Sequence, residues 1–289
     1  MSATKNILIT GADGQLGQEL QLVLNSDSFR IFALNKSQLD IANKVAVNHF
    51  FRENNIDVAI NCAAYTAVDK AESEAQKCYE INDTGAKNIA TACKERDALL
   101  IHISTDFVFD GSASKPLKEK DKTNPLSVYG KSKLAGEHTI TSSGCKAIII
   151  RTSWLYSSFG ANFVKTILRL AKDRDSLGIV SDQIGSPTYA ADLATGIKKF
   201  ITHKNLAELA GIYHFSNSGV ASWYDFAIAI KNIKQLSVQV NPINTSEYPT
   251  PATRPSYSVL NCKKLKQTLA IEIPHWQDSL AICLSKIEN

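Results

Sequence analysis

The sequence predicts an α/β protein. A doubly wound parallel sheet over residues 1–151 carries a smaller, mixed substrate-binding domain over residues 152–289, with some later elements returning to the sheet. Three observations carry this expectation. Strand-length apolar runs alternate with helical patterns from residue 5 onward, a glycine-rich turn joins the first strand to the first helix, and the alternation loosens after residue 151.

Residues 5–10 form a short apolar strand running into Gly11-Ala12-Asp13-Gly14-Gln15-Leu16-Gly17, and helical periodicity follows over residues 16–25. Such a strand, glycine loop and helix can hold a dinucleotide, because glycines admit the pyrophosphate close to the backbone and the helix turns its positive end toward it. The spacing G-x-x-G-x-x-G is one residue longer than G-x-G-x-x-G, and a plain tight turn is the alternative. The alternation continues with strand 30–34, helix 44–53, strand 57–61, a long helix 74–95, strand 98–104, a helix reaching residue 141, and strand 147–151. The unbroken runs Val58-Ala59-Ile60 and Ile148-Ile149-Ile150 read as strands covered on both faces, as in a parallel sheet with right-handed crossovers.

In such a sheet, ligands bind beyond the carboxyl ends of the strands. After the second strand stands Asn35-Lys36-Ser37, where an NAD enzyme usually carries an acid for the ribose 2′-hydroxyl. Its absence, beside Lys36, tilts the expectation of NADPH or NADH toward NADPH. Asp40 and Ile41 follow within reach of an adenine, with helix capping by Asp40 as the other reading. Ala63, Ala64 and Tyr65 begin a run of mostly small residues against which a cofactor ribose can lie. The strand ending at Ser104 delivers Thr105 and Asp106 to the same crevice.

Asn124-Pro125 breaks the chain and Ser127 is placed to cap the helix that follows. Tyr129 and Lys133 are four residues apart, so they leave one face of that helix one turn from each other. An ammonium beside a phenol favours the phenolate, which predicts a tyrosine pKa below its ordinary value of about 10. An exposed helix with an idle Tyr and Lys is the plain alternative, and the strand-end residues argue against it.

Beyond residue 151 come the aromatic loop Thr152-Ser153-Trp154-Leu155-Tyr156, a helix over 162–172, a strand over 178–180, a helix over 191–201 and a strand over 212–215. Ser222 then caps a further helix, and a rigid Pro-rich loop spans residues 248–255.

Composition excludes several classes. The chain has 44% hydrophobic and 21% charged residues, as ordinary globular proteins do, and its net charge of +4 comes without a Lys/Arg block, so no nucleic acid is expected. No apolar run reaches the roughly 18 residues of a membrane span, and Met1-Ser2-Ala3 leads toward a strand without a signal sequence. Six scattered cysteines fit neither a disulfide framework nor a zinc pattern, so a reducing cytoplasm is the expected setting.

The glycine turn, Asn61-Cys62-Ala63-Ala64, Ser104-Thr105-Asp106 and Tyr129-x-x-x-Lys133 stand in the order and spacing of the extended short-chain dehydrogenase/reductase family, which the chain resembles over nearly its whole length. Residues 63–72, residues 104–111, Arg151-Thr152-Ser153-Trp154, Asp182-Gln183-x-Gly185-Ser186-Pro187-Thr188 and Pro249-Thr250-Pro251-Ala252-x-Arg254-Pro255 are similar to the branch that reduces dTDP-4-dehydro-L-rhamnose at C4. The resemblance implies a Rossmann-like fold and a nucleotide-sugar substrate. It implies that Tyr129 protonates the C4 oxygen, Lys133 holds the nicotinamide ribose and Thr105 bonds the keto oxygen. It places Thr66, Val68, Asp106, Phe107 and Trp154 around the sugar and Arg254 on the pyrophosphate. Some members form a dimer around Mg²⁺ held by two glutamates. Glu19 matches the first, but Ala191 stands at the second, so no Mg²⁺ is expected and the chain is expected to be a homodimer or a monomer. Two other readings fit the same fold: a non-catalytic cofactor-binding partner of a methionine adenosyltransferase, and a nucleotide-sugar epimerase.

Overall fold

A computed structural model describes residues 4–287; the expectation about Met1-Ser2-Ala3 lies outside the described residues. The main sheet is six-stranded and parallel. Its first five strands in chain order are β1 (Lys5–Thr10), β2 (Phe29–Leu34), β3 (Val58–Asn61), β4 (Leu99–Thr105) and β5 (Ala147–Thr152). The strand Gly211–Phe215, from the second half of the chain, pairs with the outer side of β5. Since β1 lies between β2 and β3, the direction of winding reverses there, and this switch point opens a crevice at the carboxyl ends.

Alternation along the strands separates two cores. On one face Ile7 and Ile9 of β1 pack with Leu16 and Leu20 of helix α1 (Gln15–Val23) and with Leu193, Ile197 and Phe200 of the Ala190–Ile201 helix. On the other, Leu8 packs with Val47 and Phe51 of helix α2 (Lys44–Glu53), with Ile89 and Cys93, and with Ile140. Both faces are covered, which is why the strands are continuous apolar runs. A third cluster joins Tyr156, Val164, Ile167, Phe226, Ile230, Trp276 and Leu280 beneath the parallel pair Ser176–Val180 and Gln239–Ile243.

Several boundaries shift by one or two residues, and two departures bear on the site. The long helix 74–95 is three pieces, Ala75–Tyr79, a π-helical turn Glu80–Gly85 and Ala86–Glu95. The wide turn lets the Asn82 amide reach Tyr65, accepting from its N–H at 2.9 Å and donating to its carbonyl at 3.1 Å, so the loop after β3 is tied to the helix. Strand β4 runs one residue further than expected, through Thr105, because Thr105 pairs in register with Thr152 of β5.

Candidate active site

The turn after β1 is built for close approach. Gly11 sits at φ +65°, and a Cβ on it would lie 2.8 Å from the Ala63 backbone nitrogen. A Cβ on Gly17 would strike the Gly11 carbonyl and the Ala12 backbone. Helix α1 begins at Gly14 with no side-chain cap and no acid in its first turn. Its free N–H groups and positive end therefore point to an outside anion, and this cradle fits a dinucleotide pyrophosphate.

The crevice above it has a volume of about 650 Å³. Gly11, Asp13, Gly14, Gln15, Leu16, Gly17, Lys36, Ile41, Ala63 and Ala64 line its first half, and Thr66, Val68, Thr105, Asp106, Phe107, Tyr129, Lys133 and Trp154 its second. Leu39, Ile81, Ile103 and the loop residues Gly160, Ala161 and Asn162 also line it and were not foreseen. Asn162 caps the helix Phe163–Asp173 and donates at 2.9 Å to Gln15, 147 positions earlier, and no local pattern signals a contact of that separation. Trp154, at φ 47°, stacks on Trp223 with centroids 3.7 Å apart.

Ser127 caps the helix Val128–Ser143 by accepting from the Gly130 N–H at 3.1 Å, which fixes where Tyr129 and Lys133 emerge. Thr105 neighbours the Tyr129 hydroxyl and favours its ionised form by donating to the phenolate. In this structure the Thr105 hydroxyl donates to Asp106 at 3.1 Å. Lys133, 2% exposed, donates to the Ile103 carbonyl at 2.7 Å.

The ionisation of this group departs from expectation. Burial raises the Tyr129 phenol above its ordinary value, and the bond to Thr105 only partly offsets that. Lys133 is itself lowered to about 8 by burial, partly offset by Glu137. Desolvation disfavours the charged form of both groups and is the largest cause of both shifts. Asp106 is raised to about 6, again by burial.

Four expected residues do not line the crevice. Asn35 accepts from the Ser37 N–H and hydroxyl, closing a local turn, and Asp40 accepts from the Ala42 N–H at 3.0 Å. Tyr65 packs with Ala71 and Cys78 and donates to Glu74 at 3.0 Å, since a side chain after a buried strand turns inward wherever a small core accepts it. The Arg254 guanidinium is paired with Asp69 at 2.8 Å and donates to Thr250 and the Ala252 carbonyl, so it braces the Pro-rich loop against the turn carrying Val68. Glu19 is buried and accepts from Ser157 at 2.6 Å. Among the described residues no His, Cys, Asp and Glu group is arranged to hold a metal ion.

A phosphate cradle and a buried Tyr/Lys pair opening on one crevice, at the switch point of a parallel sheet, define a nicotinamide-dependent oxidoreductase of the short-chain dehydrogenase/reductase type. The chain belongs to the RmlD substrate binding domain family, whose model matches residues 5–289. It is 44% identical over 283 residues to a dTDP-4-dehydrorhamnose reductase of Aggregatibacter actinomycetemcomitans, covering 95% of this chain and 96% of that one. A solved dTDP-4-dehydrorhamnose reductase of Clostridium acetobutylicum superposes with TM-score 0.93 at 45% identity, covering 97% of this chain and 98% of the other. Another, from Bacillus anthracis in complex with NADP, gives TM-score 0.94 at 41% identity, covering 98% and 99%.

Proposed function

We propose that this protein reduces dTDP-4-dehydro-L-rhamnose to dTDP-L-rhamnose with NADPH. The observation that carries the reading is the opening of the Tyr129 and Thr105 hydroxyls onto the crevice that begins at the glycine turn. Lys36 at the edge of that crevice, with no acid in Asn35-Lys36-Ser37, supports NADPH over NADH, as does the NADP bound to the Bacillus anthracis relative.

The free N–H groups of α1 and the glycine turn hold the cofactor pyrophosphate, and Ala63 and Ala64 leave room for the ribose. The bound nicotinamide supplies the hydride that adds to C4. Tyr129, kept protonated by its burial, gives its proton to the C4 oxygen as negative charge develops there. Lys133 keeps a positive charge beneath the phenol, which stabilises the phenolate that remains. Thr105 turns its hydroxyl from Asp106 to the keto oxygen and orients it. Thr66, Val68, Asp106, Phe107 and Trp154 surround the sugar, with Trp154 as an aromatic wall. Arg254 acts through Asp69 and the loop it braces. The unit formed by residues 1–151 binds cofactor, and residues 152–289 bind chiefly substrate while completing the sheet. No described helix is long and apolar enough to cross a membrane, and the reducing cytoplasm is the proposed setting.

The test is a spectrophotometric assay of NADPH and NADH oxidation with the enzymatically generated keto sugar. Net, sugar-dependent oxidation, faster with NADPH, is expected. An epimerase would interconvert sugars without net consumption, and a regulatory subunit would bind cofactor without turnover; either result overturns the reading.

A further inference from the structure

Beneath Lys133 a row of polar side chains crosses the sheet that the proposed chemistry does not use. Thr10, Asn61 and His102 stand in register on β1, β3 and β4, each 1% exposed. The Thr10 hydroxyl donates to the Asn61 amide oxygen at 2.7 Å, the Asn61 NH₂ lies 3.1 Å from His102 Nδ1, and His102 Nε2 lies 3.4 Å from Lys133 Nζ. An apolar sheet interior gives no reason for three polar residues in line, and each must be satisfied where it lies.

Proton counting orders the row. A charged His102 would set two cations side by side out of water, and burial and the Lys133 charge together hold its pKa well below the ordinary value. A neutral imidazole has one donor and one acceptor. The ammonium of Lys133 has only protons to offer, so Nε2 accepts and Nδ1–H donates; Asn61, whose oxygen accepts from Thr10 and whose NH₂ faces Nδ1 in this structure, must turn its amide over to accept from Nδ1 and give its NH₂ to Thr10. Other groups facing Lys133 do not supply a free counter-charge. The Cys62 thiol is pushed up to about 12 and Cys78 is also raised, so both are neutral, and the Glu137 carboxylate is held by Arg151 at 2.7 Å and by Ser104 at 2.5 Å.

We propose that His102 is a positioning residue for the reduction: a neutral imidazole, locked by Asn61 and Thr10 with Nε2 as acceptor, that keeps Lys133 an ammonium and holds it toward Tyr129. The effect on rate rests on the reductase reading, whereas the tautomer of His102 does not. Losing the acceptor leaves the Ile103 carbonyl as the remaining polar contact of Nζ in this structure, destabilises the charged form, and so moves the lysine pKa down.

The test has two arms. In ¹⁵N NMR of the cofactor-free chain, with the His102 signals assigned by their loss in His102→Gln, the ring is expected to be neutral and Nδ1-protonated at neutral pH. It should not titrate near its ordinary pKa. In pH profiles of sugar reduction, His102→Leu is expected to shift the alkaline limb down by about one pH unit, as the loss of a hydrogen bond to a charged group does. It should lower kcat more than it changes the sugar KM. His102→Gln, whose amide occupies the Nε2 position, should return the limb toward the parent. A ring titrating near its ordinary value, an Nε2-protonated ring, or a His102→Leu profile that superposes on the parent's overturns the proposal. Where His102→Leu does not fold, the NMR arm decides alone. Absence of sugar reduction in the parent chain sinks the reductase reading and leaves the NMR result standing.

Discussion

Tyr129 and Lys133 illustrate how far residue types and spacing carry an argument. Their spacing placed both in the crevice, and Ser127 capping fixed their helix, but the sign of the tyrosine shift came from burial, which spacing does not report. A phenol held protonated still serves as an acid toward a developing alkoxide, so the role survives the correction. The surroundings set two limits on pH. In the proposed mechanism, as pH falls through about 6 Asp106 is protonated, becomes a weaker acceptor for Thr105 and holds the sugar less firmly. As pH rises through about 8, Lys133 loses its charge, which in the same mechanism steadies the phenolate. The expected profile of kcat/KM for the sugar is a bell between those values, and a profile flat from about pH 5 to about pH 9 contradicts these assignments.

Among the elements, the helix Val128–Ser143 holds its reacting side chains through close backbone contact. A Cβ on Gly136 would strike the Asn82 carbonyl of the π-helical turn, and one on Gly130 would strike that of Phe107. Gly136→Ala would gain roughly 0.5–1 kcal/mol of helix propensity on an isolated helix. Overpacking here costs about 1–3 kcal/mol. The clash therefore wins, and a lower urea midpoint is expected for the cofactor-free variant; a raised midpoint would show that the crossing has slack. The helices and strands of the first half were legible because their apolar periods are long and regular. The π-helical turn was not, since Glu80–Gly85 carries the same pattern as the helix around it, and its function in reaching Tyr65 depends on a loop distant in sequence.

Across the whole molecule, the later half of the chain closes the site as well as the sheet. The strand Gly211–Phe215 extends the sheet beside β5, the helix Ala190–Ile201 packs on α1, and Trp154 and residues 160–162 line the crevice, Asn162 lying against Gln15 of the glycine turn. The crevice was readable at the strand ends, where topology alone brings Gly11, Ala63 and Thr105 together. It was not readable at Asn162, nor at Arg254, whose guanidinium serves Asp69 and the loop, because those contacts join parts of the chain that no local pattern relates. The central claim is that one protonated phenol at this crevice completes a hydride transfer begun by the nicotinamide. Its most direct test is Tyr129→Phe, assayed for sugar-dependent NADPH oxidation and, separately, for NADPH affinity. A loss of about 10²–10⁴-fold in kcat with cofactor affinity nearly unchanged is predicted; full turnover in the variant would contradict the account.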